Sequence, residues 1–467
     1  MALAPERPTP FSERPLLATV ATVVLALPLV GLVVLSTTAS PAETLVALIA
    51  LATVVALLLR VEAALLVLVA AGALEEAFQL SANPQLTLTK VAGAICFASF
   101  ARYALTSRRP LLLDRSHAVV VGILLLALAS TVQAFDTSTA LTTTTRYASF
   151  VALYVVVSQF VGAHVLQRRV AWVLTLASAA AAAIALESYF DGDTVVATLP
   201  YANPSDFAFI LATTVPLTFW LLGSSPRWRL PLLGVIALIA AAIVLSLSRG
   251  TIVGLAAGLA WMVLVDRRHV RLVLGGGLLA LLVAVLVIRS DPSRFETALL
   301  YKQKVADYNV TTRYDAWTAA AELAVEKPLL GVGPGNYPAV YEQYYISPWR
   351  DPLGHAHNYY INMAAEAGLL GLSALMIVLF LAFRTLLHRY RAIGWPEMVH
   401  HERLCATPLP VTAETVLPAP FARALAIGLL GSLVMFCTHN LFDNLLVHGV
   451  GIQIGILLGL IGGVTTR

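Results

Sequence analysis

Charged residues are scarce in this chain, at 12% of its 467 residues, whereas soluble proteins carry about a quarter. Hydrophobic residues make up 59% and the mean hydropathy is +0.82. This composition argues against an ordinary water-soluble domain and indicates a chain dissolved in lipid. The formal charge of +4 comes from basic residues spread along the chain, which indicate membrane topology and no nucleic-acid partner.

Cysteine is also rare. The three cysteines, Cys96, Cys405 and Cys437, are odd in number and far apart. They form no CxxC pair and no Cys/His ligand spacing, so the sequence disfavours both a disulfide framework and a structural zinc site. A repeat of fixed period is absent as well, which argues against a solenoid or an array.

Long apolar runs are abundant, and about 20 apolar residues suffice for a helix to cross a bilayer. The first run is longer than the apolar region of a typical signal peptide, so we interpret it as a retained span. Several runs are short, which makes twelve spans an alternative to fourteen, and only Arg60 and Glu62 interrupt the second and third runs. The fourteen runs are 16–37, 44–59, 61–74, 91–105, 117–134, 147–163, 170–187, 205–223, 230–247, 251–265, 270–288, 359–383, 424–440 and 446–463.

The basic residues predict the orientation of these spans. With fourteen spans and a cytoplasmic N-terminus, twenty of the thirty basic residues lie on the cytoplasmic side, as the positive-inside rule requires. Seven of the other ten lie in one long outer loop, and long loops cross regardless of charge. We therefore divide the chain into an N-terminal bundle (1–288), the outer loop (289–357) and C-terminal helices (358–467). Within the last part, 384–423 forms a cytoplasmic loop beside anionic lipid.

The outer loop carries its own helix signal. Residues 313–327 place Tyr314, Trp317, Ala321 and Ala324 on one face, and Pro328 ends the pattern. We expect an amphipathic helix that lies at the outer membrane surface and covers the membrane-embedded part.

Three glycines follow this helix within five residues, at Gly331, Gly333 and Gly335. Glycines let backbone N–H groups approach an anion closely, as in phosphate-binding loops. However, no Walker lysine and serine follow, and no strand and helix flank the segment. A tight re-entry turn is therefore favoured over a nucleotide site.

Ionisable and polar residues collect at the outer ends of several spans, where each costs up to about 3 kcal/mol to insert. They are Arg146 before the sixth span, Asn203 before the eighth, Arg249 between two spans, and His439 near the last. Each has a structural alternative: Arg249 can snorkel to the interface, Asn203 can cap a helix, and His439 can pair with Asp443. Their convergence on one face favours a functional site.

The segment at the entry to the twelfth span combines His355, His357, Asn358 and Glu366. A partly desolvated histidine accepts a proton near neutral pH. Glu366 lies nine residues from His357, on the opposite side of a helix, so we do not expect it to orient that histidine. A metal site is disfavoured because histidines two residues apart diverge on a helix. A purely structural pair is the other alternative.

This order of motifs resembles the O-antigen ligase and polymerase superfamily, membrane glycosyltransferases of the C-type fold. The resemblance covers roughly residues 140–460, while residues 1–130 match only as apolar spans. The motifs that carry it are Asn203-Pro204; Ser248-Arg249-Gly250; Arg313 with Trp317; Pro328 with Gly331 and Gly333; and His357-Asn358 with Glu366, Gly368 and Gly371.

The resemblance implies an all-α polytopic membrane protein of about 12–14 transmembrane helices, with one large periplasmic loop that contains amphipathic helices. It implies a location in the bacterial inner membrane with the active site facing the periplasm. The implied activity is inverting transfer of O-antigen polysaccharide from undecaprenyl diphosphate to a lipid A-core sugar. The implied partners are the lipid-linked donor, the lipid A-core or glycan acceptor and membrane lipids, with no cofactor and no metal.

The resemblance also implies roles for single residues. Arg249 and Arg313 would hold the diphosphate and stabilise it as it leaves, and His357 would orient or deprotonate the acceptor hydroxyl. His355 competes with His357 for that role, but His357 precedes an asparagine, as in the family. The residues expected to bind substrate are Arg146, Asn203, Asn358, His355, Glu366 and His439.

Two other functions stay open from the sequence. A polymerase that joins repeat units on the same carrier has the same motifs. A transporter or lipid flippase belongs to a different class, and it predicts inverted repeats with broken helices near the bilayer midplane. The polar residues here gather at one face instead, which favours an enzyme.

Overall fold

The computed structural model of the chain is helical wherever it describes the residues. The predicted first span, 16–37, and most of the predicted loop 384–423 lie outside the described part. Among the residues that are described, every regular element is a helix and no strand occurs. The described residues are 41–77, 87–107, 111, 113, 115–159, 164–341, 343, 354–392, 419–444 and 448–462.

These residues form fifteen α-helices. Thirteen of them coincide with the thirteen predicted spans that follow 16–37, and the other two, α11 and α12, lie in the predicted outer loop. The helices are α1 Pro41–Leu59, α2 Val61–Leu74, α3 Leu88–Ser107, α4 Arg115–Val132, α5 Thr137–Ser158, α6 His164–Asp191, α7 Pro204–Ser224, α8 Arg229–Leu245, α9 Arg249–Val265, α10 Val270–Ser290, α11 Pro292–Glu326, α12 Tyr337–Tyr341, α13 Tyr359–Ala392, α14 Ala419–His439 and α15 His448–Gly462.

Seven helices in the described part are long and apolar enough to cross a membrane. Helices α1 and α2 pass the same test as a pair bent by 116°, so they do not form two successive straight spans. Helices α4, α9, α14 and α15 are apolar but shorter. The chain is therefore an all-α polytopic membrane protein, as the sequence predicts. The bend explains why the number of spans between Pro41 and Leu74 is ambiguous in the sequence.

Helix α7 forms the centre of the bundle. It is buried along almost its whole length and packs against α6, α8, α9 and α14. A helix that is apolar all round is stable only where other helices surround it. The N-terminal end of α7 therefore lies within the bundle, next to the polar residues at the ends of the neighbouring helices.

Helices α9 and α14 approach each other closely because α9 has glycine at every fourth position. A Cβ atom at Gly254 would lie 3.0 Å from the backbone oxygen of Met435, and one at Gly258 would lie 2.5 Å from that of Gly431. Small residues at this spacing allow two backbones to pack directly in a membrane. The packing brings the start of α9, where Arg249 lies, beside the end of α14.

Helix α13 is broken at Gly368, where φ is +68°. Ahead of the break, the carbonyl oxygens of Ala365 and Glu366 accept hydrogen bonds of 3.0 Å from the N–H groups of Val332 and Gly333. The glycine segment that precedes α12 is thus paired with the break. Irregular backbone at membrane depth is tolerated because it lies within protein and its polar groups are paired.

Helix α11 is much longer than the helix predicted over 313–327, because it begins at Pro292 and ends at Glu326. Asp291 caps it, with its side chain accepting a hydrogen bond from the backbone N–H of Arg294. A capping aspartate followed by proline at the first helical position was the available signal for this start. The packed face consists of Ala316, Ala319, Ala320 and Leu323. The predicted apolar face is largely outward, and Tyr314 is 65% exposed.

Candidate active site

His357 and Asp443 form the centre of the candidate site. The imidazole Nδ1 of His357 lies 3.0 Å from the carboxylate Oδ1 of Asp443. His357 lies two residues before the start of α13 and has a positive φ of 46°, a conformation that costs a non-glycine residue energy and that clusters at functional sites. The backbone oxygen of Asp443 accepts a hydrogen bond from the N–H of Tyr359 (3.1 Å), so side chain and backbone both join the two segments.

The charge of Asp443 determines the tautomer of His357. Burial alone raises the pKa of the Asp443 carboxyl, but the hydrogen bond and charge of His357, with the charges of His355 and His439, hold that pKa well below its usual range. An ionised carboxylate only accepts hydrogen bonds, so His357 Nδ1 carries the proton. In the neutral ring, Nε2 then has a free lone pair and can accept a proton.

The ring of His355 packs against the ring of His357, but the nitrogen atoms of the two rings have different hydrogen-bond partners. The ring centroids are 4.3 Å apart, and the backbone N–H of His357 donates to His355 Nδ1 over 3.1 Å. Burial, followed by the charge of His357, lowers the pKa of His355 to about 4. The neutral ring therefore carries its proton on Nε2. This geometry favours His357 over His355 as the proton acceptor.

His355, His357 and Asp443 also satisfy the distance requirement for a metal site, since one ligand atom from each lies within 4.8 Å of the others. The hydrogen bonds do not fit a metal, because the imidazole nitrogens that face Asp443 both carry protons in the arrangement described. A bound cation would also be repelled by the nearby charge of Arg313. The donor set fits proton transfer better than metal binding.

Three basic side chains from two helices act on one another, and one of them, Arg313, also acts on His355 beside this pair. Burial lowers the pKa of the Lys302 ammonium, and the charges of Arg249 and Arg313 lower it further. The charge of Arg313 also acts on His355. The Nε atom of Arg313 is buried and has no hydrogen-bond partner among the described residues. Arg249, Lys302 and Arg313, here called the cation cluster, thus form a local site for an anion.

The sequence did not single out Lys302. It lies in the middle of α11, in a segment where basic and acidic residues alternate, and nothing in that pattern distinguishes one lysine from another. Only the folded chain brings the charge of Lys302 close enough to Arg249 for the two to interact. The partner of His357 was missed for a similar reason, because Asp443 lies 86 residues further along the chain.

His439 fastens the start of α9 to the end of α14. Its Nε2 lies 3.2 Å from the hydroxyl oxygen of Thr251, which lies 2.8 Å from the hydroxyl of Ser248. A Cβ atom at Gly250 would lie 2.9 Å from His439 Nε2, so glycine is required for this approach. His439 therefore holds the turn that presents Arg249. Asp443 lies four residues after His439 in the sequence. The hydrogen-bond partner of its carboxylate, however, is His357.

Glu366 is bound by the glycine segment. Its Oε2 accepts a hydrogen bond of 2.8 Å from the N–H of Gly335, and its Oε1 accepts one of 3.3 Å from the N–H of Tyr337. Gly331, Gly333 and Gly335 all have positive φ, as expected for a tight re-entry turn. The group bound by Gly335 and Tyr337 at the end of this segment is thus the side chain of Glu366 itself.

The structure also shows the surroundings of the other residues that were expected to bind substrate. Asn358 Oδ1 accepts from the N–H of Tyr360 (3.0 Å), and its Nδ2 donates to the Leu441 carbonyl (3.1 Å), so it caps α13 beside His357. Asn203 is exposed and caps α7 through a 2.8 Å bond from Ser205. Arg146 is exposed on α5, which packs mainly on α4 and α15, whereas the cation cluster lies on α9 and α11.

Comparison with known families identifies the segment that contains most of this site. Residues 233–376 match the family model described as O-antigen ligase. The matched segment includes the cation cluster, His355, His357 and Glu366. The comparison with curated proteins finds no match to the chain. The resemblance seen in the sequence is therefore confirmed over residues 233–376, which match the O-antigen ligase domain.

Proposed function

We propose that the chain transfers O-antigen polysaccharide from undecaprenyl diphosphate to a lipid A-core sugar at the periplasmic face of the bacterial inner membrane. The observation that carries this proposal is the proximity of the His357–Asp443 pair to the cation cluster. Glycan transfer from a lipid diphosphate needs a base for the acceptor hydroxyl and positive charge for the leaving group. These side chains supply both without a metal or another cofactor.

The cation cluster would bind the donor through its diphosphate. Guanidinium groups of Arg249 and Arg313 are suited to bidentate contacts with phosphate oxygens, and Lys302 adds a point charge. As the bond between the anomeric carbon and the diphosphate oxygen breaks, negative charge grows on that oxygen. Fixed positive charges stabilise this state more than the ground state, and so they lower the barrier.

His357 would act on the acceptor. Its Nε2 takes the proton of the acceptor hydroxyl while the hydroxyl oxygen attacks the anomeric carbon from the side opposite the diphosphate. The new bond is therefore formed with inversion, and undecaprenyl diphosphate leaves with the electron pair. Asp443 holds the reactive tautomer and stabilises the imidazolium that forms. The proton then passes to solvent when the product leaves.

Other residues would support this arrangement. His355 and His439 position His357 and Arg249, while Asn358 and Glu366 fix the start of α13 and the glycine segment. Arg146 and Asn203 are proposed to contact the glycan at the rim of the site. Helix α11 covers the site and limits the entry of water, which would otherwise hydrolyse the donor. The donor's lipid tail would lie between helices.

A polymerase is the second candidate function, because the same base and cations serve a lipid-linked repeat as acceptor. Purified protein should be given a polyprenyl-diphosphate glycan with either lipid A core or a second lipid-linked repeat. We expect elongation of lipid A core by the wild type and loss of it in His357→Ala. His388→Ala, an exposed histidine near the far end of α13, should keep activity.

The outcomes separate the functions. Elongation of the lipid-linked repeat alone would show a polymerase. Movement of the donor across vesicle membranes without any transfer would show a flippase. Full transfer by His357→Ala at normal protein levels would exclude His357 as the base.

A further inference from the structure

A groove next to the candidate active site contains groups that the reaction described above does not use. Its volume is about 650 Å³, and its lining includes Trp317, Glu322 and Glu326 of α11 and Ile361 of α13. Val325 of the same lining is 79% exposed, so the groove is open to its surroundings. We call it the Trp317 groove.

Both walls of the Trp317 groove lead to groups of the candidate active site. On α11, Trp317 follows Arg313 by four residues, about 6 Å along the helix axis, and on the same side of it. On the other wall, Ile361 follows His357 by four residues, and its N–H donates to the capping Asn358 side chain (3.2 Å). A molecule in the groove can therefore extend to the base and to the cation cluster.

The lining excludes two kinds of ligand. Glu322 and Glu326 are exposed carboxylates in the groove, and burying an ionised carboxylate against hydrocarbon is costly. A lipid tail is therefore a poor occupant. A phosphorylated or otherwise anionic group is also a poor occupant, because two carboxylates repel it. The cation cluster, which attracts anions, lies on the preceding turns of α11.

The same lining suits a sugar. The indole of Trp317 lines the groove and offers an aromatic surface for the C–H face of a pyranose ring, and the ring of Tyr314 packs against it at a centroid distance of 5.8 Å. Carboxylates such as Glu322 accept hydrogen bonds from ring hydroxyls without competing as donors. An aromatic surface with a few acceptors is typical of a specific small-ligand site.

We propose that the Trp317 groove binds the acceptor sugar and selects an uncharged or amino sugar over a phosphorylated one. This inference rests on the proposed transfer reaction and adds the class of acceptor to it. Positive charge binds the donor, whereas an aromatic surface and negative charge bind the acceptor. The two substrates therefore occupy separate sites. The acceptor hydroxyl enters from the groove towards His357.

Steady-state transfer with variants of the full-length protein tests the groove. In Trp317→Leu and Glu322→Gln, we expect the KM for the acceptor to rise about tenfold, the effect of losing one good contact, while the KM for the donor stays unchanged. Glu296→Gln is the matched control, because Glu296 is exposed on the same helix outside the groove. Glu322→Lys should improve transfer to a phosphorylated acceptor relative to wild type.

Unchanged acceptor KM in both groove variants would overturn the proposal, and so would equal use of phosphorylated and unphosphorylated acceptors by the wild type. If Trp317→Leu is unstable, the acceptor KM of Glu322→Gln alone tests the proposal, because the Glu322 side chain is exposed. Failure of the transfer reaction itself has a different signature. The wild type would then elongate no acceptor sugar at all.

Discussion

His357 Nδ1 and Asp443 Oδ1 lie 3.0 Å apart, and this bond joins the start of α13 to the segment that follows α14. The Asp443 Oδ1 atom also accepts a hydrogen bond from the N–H of Asn444 (2.9 Å), which fixes the carboxylate. The imidazole is therefore oriented by a group that cannot rotate freely. An oriented and ionised partner keeps His357 in the tautomer whose Nε2 is free to accept a proton.

Asp443→Asn should lower kcat for transfer by about 10²- to 10⁴-fold, the usual range for losing an oriented general base. The amide cannot stabilise the imidazolium and permits the wrong tautomer. Donor binding should persist, since the cation cluster is untouched. The rates should be compared with Asp193→Asn, an exposed residue after α6. A wild-type kcat in Asp443→Asn would remove the proposed pair from the mechanism.

The half-buried His355 makes stability depend on pH. Burial lowers its pKa to about 4 in the folded chain, compared with about 6.5 in an unfolded chain. Between these values the unfolded chain binds more protons, so stability falls as pH drops from about 6.5 towards 4. We expect the Tm of the detergent-solubilised protein to fall over this window, and to fall less in His355→Gln. Parallel curves for the two proteins would contradict a buried neutral His355.

The cation cluster predicts a shared loss of donor binding. Lys302→Ala and Arg313→Ala should each raise the KM for the donor about tenfold or more, because a charged hydrogen bond is worth about 1.5–3 kcal/mol. Their effects should not add fully, since both contact one diphosphate. Arg271→Ala, an exposed arginine at the start of α10, is the control. Donor kinetics of Lys302→Ala equal to those of the control would exclude this lysine from the site.

The glycines of α9 predict a packing defect when one is enlarged. Gly258→Val should lower Tm, because a Cβ atom there would lie 2.5 Å from the Gly431 carbonyl oxygen, and overpacking costs about 1–3 kcal/mol. Transfer should fall as well, since α9 carries Arg249. Gly275→Val on α10 provides the comparison, because no atom lies within 4 Å of a Cβ built there. Similar Tm values for the two variants would show that α9 and α14 do not pack this closely.

Glu366→Gln distinguishes a structural role from a substrate contact. Both carboxylate oxygens accept backbone hydrogen bonds, from Gly335 and Tyr337, and an amide can replace only one of them without placing two donors together. We expect a lower Tm and a lower kcat with little change in either KM. A selective rise in the KM for one substrate would instead indicate that Glu366 contacts it.

Most of the helices could be predicted from the sequence, because a span needs little more than about 20 apolar residues and its ends carry caps. The bend between α1 and α2 could not, since the two residues between those apolar runs do not determine an angle. The first half of α11 was also missed. The mean hydropathy of α11 as a whole is close to neutral, so only the cap at Asp291 indicated where the helix begins.

The candidate site was predictable as a set of residue types but not as a set of contacts. His357, Arg249 and Arg313 stand out because charge near a membrane is rare. Their partners do not stand out, because a carboxylate such as Asp443 and a lysine such as Lys302 are ordinary residues until the chain folds. The glycine segment forms a tight turn, as the glycines predict, but its partner Glu366 was assigned to substrate binding, a role that the predictions above now test.

The break in α13 has a mechanical consequence for the two substrates. The backbone of residues 328–335 is bonded to α13 on both sides of Gly368, and the hydroxyl of Tyr337 donates to the Ala316 carbonyl of α11 (2.8 Å). The helix that carries Arg313 and the helix that follows His357 are therefore clamped to each other. A displacement of one helix should therefore move the other as well, so the distance between the proposed leaving-group site and the proposed base should change little when α11 moves.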